Sequence, residues 1–331
     1  MTRYGQYVTT VKDHDNPPMS ESAGFPLPSK EIVDGVFLVD TLAGHVPGLV
    51  ASYLVKGKKI ALIDVGHATS ADTVLSELRG LGADAWHVDY LIPTHVHLDH
   101  AGAVGRLASV MPHARVMVNE HGAKHLVDPS KLIEWQARLF GTESLSVFGA
   151  PLAVPMERIE AVGDRYDLDL GDGKTLRLFW TPGHAPHHMS VLLEDQQLLM
   201  TGDAVGVRYP GFDFPIPVTP PPSFDEDLYL RTLRQIKDIS PAGLLLPHFG
   251  PVLKNTRKFL QSNLETTEHW GRKVFEAVDA GKPINQVREF FVTDVAQQAR
   301  KSREEIPDHI IRGIRLSAAG YYSYAQKKRA G

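Results

Sequence analysis

Short apolar runs, separated by glycine, proline and polar residues, fill most of the first 250 positions of the chain. Runs of this length and composition are typical of buried β-strands. They predict strands at 36–40, 49–55, 59–64, 88–92, 115–119, 167–170, 176–180, 189–194, 198–201 and 243–247. One early interval instead predicts a helix, because Val74, Leu75, Leu78 and Leu81 recur at helical spacing.

Helical spacing takes over towards the C-terminus. The pattern predicts a helix that starts at a capping box over 223–226 and runs to Asp238, and three more over 255–280, 284–300 and 308–328. Pro283 and Pro307 separate the last three helices. Strands that alternate with helices and end in a helical extension indicate a layered α/β protein.

The last of these helices carries a broad apolar face. Its members are Ile310, Ile311, Ile314, Ala318, Tyr321, Tyr322 and Tyr324. A face of this size is too large for a helix that stands free in water. We therefore expect the helical region 255–331 to pack on a catalytic domain formed by 1–254, where it closes a pocket, forms a homodimer interface or only completes the core.

Two other segments depart from the alternating pattern. Residues 1–30 are polar and contain four prolines, so they predict an irregular N-terminal arm. Residues 128–160 combine apolar side chains with several glycines and prolines, which indicates an inserted helix and loop that could act as a lid. Trp135 and Phe140 in this insertion either pack in the lid or core or contact an apolar substrate.

Composition narrows the chemistry and the partners. The 331 residues include no cysteine, which excludes disulfides, thiolate metal ligands and a cysteine nucleophile. The net charge of −4 favours neither nucleic acid nor an anionic membrane as a partner. No run approaches 18 apolar residues and the first residues lack an apolar stretch, so we expect no membrane span, no signal peptide and a cytoplasmic location.

Three histidines and an aspartate crowd the end of the strand predicted at 88–92. They are His95, His97, Asp99 and His100. The carboxyl ends of strands in open α/β sheets are where ligand sites usually lie. In extended backbone His95 and His97 point to one side, which leaves Asp99 and His100 for a second ion. Imidazole and carboxylate are the ligands that a cysteine-free protein offers to a transition metal.

Three more such side chains each follow an apolar run. They are His184, after Thr181-Pro182-Gly183; Asp203, after Thr201-Gly202; and His248, after Pro247. Each comes at the end of a predicted strand, so the three are candidates to converge on one edge of a sheet.

Five motifs resemble those of the metallo-β-lactamase-fold hydrolases. They are Leu62-Ile63-Asp64-Val65-Gly66, Thr94-His95-Val96-His97-Leu98-Asp99-His100, Thr181-Pro182-Gly183-His184, Gly202-Asp203 and Pro247-His248-Phe249-Gly250. They occur in the order and spacing of that family, over about residues 33–254. The resemblance implies an αββα sandwich with a two-metal site at one edge and, in this chain, the C-terminal helical extension.

The resemblance also assigns roles to residues. It implies that His95, His97 and His184 hold a first metal, that Asp99, His100 and His248 hold a second, and that Asp203 bridges the two. The ions would be two divalent metals, with zinc expected and iron or manganese as alternatives. Asp99 would orient the metal-bound hydroxide that attacks the substrate, and Asp64 would hydrogen-bond the loops that carry the ligands.

Departures from other branches favour one reaction class. His97 stands where the flavodoxin-linked di-iron relatives have glutamate, the commonest class B β-lactamases need a cysteine, and the net charge does not favour tRNA processing. The branch that remains resembles hydroxyacylglutathione hydrolase (glyoxalase II), the homoserine-lactone lactonases and related thioesterases. We therefore expect hydrolysis of an ester, thioester or lactone in a small-molecule substrate.

Three alternatives stay open at this point. A phosphodiester or phosphotriester hydrolase would use the same site. A persulfide dioxygenase-like enzyme would use one iron, held by His95, His97 and His184. A binding or regulatory protein with a vestigial site is the third.

Substrate contacts carry no motif of their own. His67 follows the Asp64 motif at the predicted rim, and His188 lies four residues after His184, where pocket lining and plain packing are equally compatible with the sequence. Arg208 and Tyr209 follow Asp203 and either contact the substrate or pack at the surface. We take His67, His188 and Tyr209 as candidate substrate contacts.

Overall fold

The computed structural model of the protein describes residues 30–330, so the predicted arm over 1–30 lies, except for Lys30, outside the described residues. The chain divides into two compact units. The first comprises the residues up to 163 together with 169–175, and the second comprises 164–168 together with 176 onwards. The predicted division into a catalytic domain over 1–254 and a helical region after it stays a prediction.

The first unit is built on a seven-stranded sheet in the order β1 to β7. Its strands are β1 (Lys30–Val33), β2 (Val36–Asp40), β3 (Ala51–Lys56), β4 (Ile60–Ile63), β5 (Val88–Ile92), β6 (Arg115–Asn119) and β7 (Ile159–Val162). The first four strands pair antiparallel, and β4 to β7 pair parallel. Because β4 and β5 are parallel, with Ile63 beside Ile92, the residues that follow them emerge at the same edge.

Six α-helices lie within residues 30–163 of this unit. They are α1 (Ala71–Gly80), α2 (Leu98–Ala101), α3 (Val104–Val110), α4 (Glu120–Val127), α5 (Ser130–Phe140) and α6 (Ser144–Phe148). In α1, Val74 and Leu78 are buried in the apolar core, as their helical spacing requires. The insertion expected at 128–160 contains α5 and α6, but its last two residues begin β7, a strand that the periodicity did not predict.

The second unit carries a six-stranded sheet in the order β13-β12-β11-β10-β9-β8. Its strands are β8 (Arg165–Gly171), β9 (Lys174–Trp180), β10 (Met189–Leu193), β11 (Leu198–Met200), β12 (Gly243–Leu246) and β13 (Gly250–Val252). The turn of the β8–β9 hairpin is grouped with the first unit. β11 and β12 are parallel, and β10 is antiparallel to both β9 and β11. The ends of β9, β11 and β12 therefore lie at one edge.

Four helices complete the second unit. They are α7 (Glu226–Ile239), α8 (Thr256–Asp279), α9 (Ile284–Ala299) and α10 (Asp308–Ala330). The predicted capping box is wrong: the N-cap of α7 is Asp225, whose carboxylate accepts a hydrogen bond from Leu228 N–H at 3.0 Å. Phe224 is buried in the core, so the chain reaches the helix in extended form and the first turn begins after Asp225.

The C-terminal helices share one core with the sheet of the second unit. Trp270 of α8, Phe291 of α9 and Tyr321 of α10 are fully buried. The Trp270 and Phe291 rings stack with centroids 4.0 Å apart, and Tyr321 Oη donates to the Thr267 carbonyl at 3.1 Å. The tail helices therefore bury the apolar face that the sequence left without a partner.

The expected α/β class with C-terminal helices is confirmed. None of the helices formed by residues 30–330 is both long enough and apolar enough to span a bilayer.

Candidate metal centre

Asp64 organises the histidine-rich loop of the first unit. It follows β4 directly, in left-handed backbone with φ of 53°, and its side chain is buried. Its Oδ1 accepts from Thr94 N–H at 2.7 Å and from Thr94 Oγ1 at 2.9 Å, and its Oδ2 accepts from His100 Nδ1 at 3.0 Å. Asp64 thus holds both ends of the loop that carries the motif.

These bonds determine which ring nitrogens carry protons. A carboxylate accepts, so a neutral His100 donates to Asp64 through Nδ1, and its Nε2 then keeps the lone pair. The Thr94 hydroxyl gives its one proton to Asp64 and therefore accepts from His95 Nδ1 at 3.1 Å. His95, like His100, presents an unprotonated Nε2.

The four motif side chains of the first unit converge. His95 Nε2 lies 2.9 Å from His97 Nδ1, and His100 Nε2 lies 3.6 Å from Asp99 Oδ2. The ligand atoms of His95 and His100 lie within 4.8 Å of each other. Lone pairs that face one another repel unless a proton or a cation lies between them. Three imidazoles and a carboxylate in this arrangement fit a divalent transition metal.

His67 and Asp99 differ from the buried ligands around them. The His67 ring stacks on Phe148 of α6, with centroids 4.1 Å apart, so the insertion contacts the loop that follows Asp64. The Asp99 side chain is 32% exposed, whereas that of His100 is fully buried. Among the motif residues, Asp99 is accessible to water.

In the second unit, His184 lies in the connection between β9 and β10, preceded by Gly183. The backbone at Gly183 has φ of 126°, and a Cβ there would lie 2.3 Å from the backbone of Tyr229. Only glycine fits this close approach, which explains its place in the Thr-Pro-Gly-His motif. Burial raises the pKa of the Tyr229 phenol, so this hydroxyl stays neutral beside the site.

Asp203 lies between His184 and His248. Its Oδ2 is 3.4 Å from His184 Nε2, and its Oδ1 is 3.7 Å from His248 Nε2. His184 Nδ1 donates to the Val218 carbonyl at 2.8 Å, so in the neutral ring Nε2, which is directed at Asp203, carries the lone pair. A carboxylate with one oxygen towards each histidine is the arrangement expected of a bridging ligand.

His188, a candidate substrate contact, is hydrogen-bonded through both ring nitrogens. Its Nε2 accepts from Asp203 N–H at 2.9 Å, and its Nδ1 donates to Thr181 Oγ1 at 2.8 Å. None of the ring is exposed. These surroundings favour a positioning role for His188, which holds the backbone of Asp203.

The residues after Asp203 hold the loop of His248. Arg208 N–H donates to the His248 carbonyl at 2.8 Å, and Arg208 Nη2 donates to the Pro251 carbonyl at 3.0 Å. Tyr209 packs edge-on against His309 of α10, with ring centroids 6.5 Å apart. Sequence reasoning missed the Val218 carbonyl altogether, because a backbone acceptor in a proline-rich loop leaves no motif.

Comparison with known proteins agrees with this arrangement of motifs. The family model described as the Metallo-beta-lactamase superfamily matches residues 45–248. A metallo-beta-lactamase fold-containing protein of Sulfurisphaera tokodaii is 32% identical over 210 residues, which cover 62% of this chain and 75% of that protein. An N-acyl homoserine lactonase of Rhizobium radiobacter is 33% identical over 133 residues, which cover 39% of this chain and 46% of the lactonase.

A solved structure extends the likeness along the chain. The metallo-beta-lactamase family protein of Thermus thermophilus superposes with a TM-score of 0.61, and the match covers 91% of this chain and 96% of that protein. At 22% sequence identity this similarity concerns the fold alone.

Proposed function

The chain belongs to the metallo-beta-lactamase superfamily and is a hydrolase, and we propose that it uses two divalent metal ions to cleave an ester, thioester or lactone. The observation that supports the metal requirement is the shared hydrogen bonding of His95, His100 and His184 through Nδ1. In each ring Nδ1 donates to a neighbour within its own unit, so each Nε2 is left as a lone pair. Neutral imidazole with its second nitrogen held in this way is what a metal ligand needs.

The proposed ligands divide between the two ions as the family pattern implies. His95, His97 and His184 would hold one ion, Asp99, His100 and His248 the other, and Asp203 both. When bound, such a pair of ions lowers the pKa of water and polarises a carbonyl or phosphoryl oxygen. The donor set, five imidazoles and two carboxylates without a thiolate, suits zinc first and iron or manganese as alternatives.

Asp99 is the residue that we propose for proton transfer. Its carboxylate is accessible to water, in contrast to the buried Asp64 and Asp203. A partly exposed carboxylate beside the ligands can orient the attacking water and accept its proton, as general base catalysis requires. Asp64 remains the residue that orients His100, and we propose His67 and Tyr209 as substrate contacts.

The proposed substrate class rests on the lactonase relative and on the motif pattern. The lactonase matches over less than half of its own length, so its substrate comes to this chain only as part of the proposal. A small molecule with an activated carbonyl is the expected substrate. A cytoplasmic location and a homodimer stay predictions.

A substrate panel on metal-analysed protein tests the proposal. We expect about two metal ions per chain and cleavage of at least one thioester, ester or lactone that stops on chelation and returns with Zn²⁺. Phosphodiester and phosphotriester substrates run in parallel would reveal the alternative hydrolase. One iron per chain, together with oxygen consumption on a persulfide, would contradict the proposal and favour the dioxygenase.

A further inference from the structure

Helix α10 presents a row of small residues to the loop that follows Asp203. Gly313, Ser317 and Gly320 recur at positions i, i+4 and i+7, so they share one face of the helix. Tyr209 lies against Gly313, and Thr219 lies against Ser317 and Gly320. A Cβ on residue 320 would come within 1.7 Å of the Thr219 carbonyl oxygen, so only glycine allows the loop to approach this closely.

Two hydrogen bonds fasten the loop to this face. Thr219 Oγ1 donates to the Ser317 carbonyl at 2.9 Å, and Thr219 N–H donates to Ser317 Oγ at 3.3 Å. Both residues are buried. Thr219 directly follows Val218, whose carbonyl accepts from His184 Nδ1. The orientation of the His184 ring therefore depends on a loop that α10 holds.

Helix α8 makes a similar contact to the short turn that contains Asp203. Asn263 is fully buried and donates through Nδ2 to the carbonyl of Val205. Its Oδ1 accepts from Thr267 Oγ1 at 3.1 Å, which keeps the amide in one orientation. Val205 is the last residue of the short 3₁₀ turn Gly202–Val205, which contains Asp203.

We propose that α8 and α10 position His184 and Asp203 for metal binding, with Asn263, Ser317, Gly320 and Thr219 as positioning residues. The inference rests on the proposed function in that the residues positioned are the proposed ligands. A ring whose Nδ1 partner can move loses its fixed direction, and a partner of a metal-binding histidine contributes to metal affinity for this reason. The tail helices are then part of the ligand-holding structure of the second unit.

Thr219→Val in the full-length chain removes the hydroxyl that bonds the Ser317 carbonyl of α10 and keeps the side chain nearly the same shape. Zn²⁺ affinity of metal-stripped protein is measured by competition with a chromophoric chelator. We expect it to fall about threefold to tenfold, less than the 10- to 100-fold typical for loss of a direct partner. Thr256→Val is the matched control, because its hydroxyl also bonds a backbone carbonyl, that of Pro241 at 3.1 Å, away from the ligands.

Two further pairs of variants extend the test. Gly320→Ala forces the Thr219 carbonyl to retreat and should weaken Zn²⁺ binding more than Thr219→Val does, whereas Gly80→Ala, which meets no neighbour, should leave it unchanged. Asn263→Leu tests the bond to the Val205 carbonyl in the turn that contains Asp203, with the exposed Asn285→Leu as its control. Unfolding of each metal-free variant is measured alongside, so that lost stability is separated from lost affinity.

The outcomes separate this inference from the proposed function. Wild-type Zn²⁺ affinity in Thr219→Val, or an equal loss in Thr256→Val, would overturn the inference alone. A wild-type chain that binds no Zn²⁺ would contradict the proposed function. In that case the ¹⁵N spectrum of His184 in metal-free protein at pH 8 tests the inference. We expect the Nδ1–H tautomer in wild type and control, and a mixture of tautomers in Thr219→Val. Identical spectra would overturn the inference.

Discussion

The residues around the histidine cluster differ in burial: some orient their neighbours through hydrogen bonds, and one carboxylate is open to water. Asp64 and His188 are buried, and their bonds orient His100 and the backbone of Asp203. Asp99 is the carboxylate that water reaches. This difference supports the proposal that Asp99 takes part in the reaction and that the other two hold the geometry around it.

Asp99→Asn should therefore reduce turnover far more than metal content. An amide keeps the size and an oxygen ligand but cannot take a proton, so we expect kcat to fall about 10²- to 10⁴-fold. Metal content by elemental analysis and kcat on the best substrate of the panel are measured together. Asp172→Asn, at the exposed β8–β9 turn, is the control. Near-normal kcat with full metal occupancy would remove Asp99 from the proposed role.

Among the helices, the first turn of α7 contains a buried carboxyl group. Glu226 packs against Gly271 of α8 and is almost fully buried. Burial is the main cause that raises the pKa of Glu226 to about 7. The nearby negative charges raise it further, and the positive charge of Arg272 partly offsets them; the negative charges are those of Asp227, Glu268 and Asp225. The folded chain therefore holds this proton more tightly than the unfolded chain, whose carboxyl titrates at its ordinary pKa of 4.5.

This difference predicts a pH-dependent effect of Glu226→Gln. Below pH 4.5 Glu226 is protonated in both the folded and the unfolded chain, so its ionisation does not affect stability. As the pH rises from there towards 7, the carboxyl ionises in the unfolded chain first, and this lowers the free energy of unfolding. The variant should match wild type near pH 4.5 and exceed its free energy of unfolding at pH 8 by about 1–3 kcal/mol. Urea unfolding at both pH values measures this, with the exposed Glu304→Gln as control. A constant difference at both pH values would rule out this account.

At the scale of the whole molecule, the C-terminal helices belong to the core of the second unit. Ile310, Ile314 and Tyr321 are buried there, in one apolar cluster with residues of the sheet. Removing them would expose the apolar surface that they cover. The cost to folding stability would be large, because burial of each such side chain contributes about 1.5–3 kcal/mol.

Deletion of residues 282–331 should accordingly give a chain that aggregates or fails to bind metal. Deletion of 327–331, whose described residues are exposed, should be tolerated and serves as control. Solubility, metal content and KM are compared for the two truncations. If the longer deletion stays soluble, binds two metals and keeps its KM, the tail neither supports the fold nor shapes the site.

Local sequence patterns were enough to predict the strands that lead to the proposed ligands and to identify the proposed ligands themselves. The strand at 88–92 and the Thr94–His100 motif after it depend on local alternation and spacing, which the chain carries wherever it packs. The same holds for the three C-terminal helices, whose ends differ from the expected ones by at most two residues. Three short strands were not predicted. In β1 polar residues interrupt the apolar pattern, β7 adjoins the loop of the insertion, and β13 contains a proline.

The bonds that hold the proposed ligands became visible in the folded chain alone. The bond from His184 to Val218 spans 34 positions, that from Asn263 to Val205 spans 58, and those between Thr219 and Ser317 span 98. No local propensity encodes such pairs, because they arise from the register of distant segments and from the close packing of α8 and α10. The tautomer of neutral His184 follows from its bond to Val218, so the lone pair that it offers depends on contacts that residue spacing does not reveal.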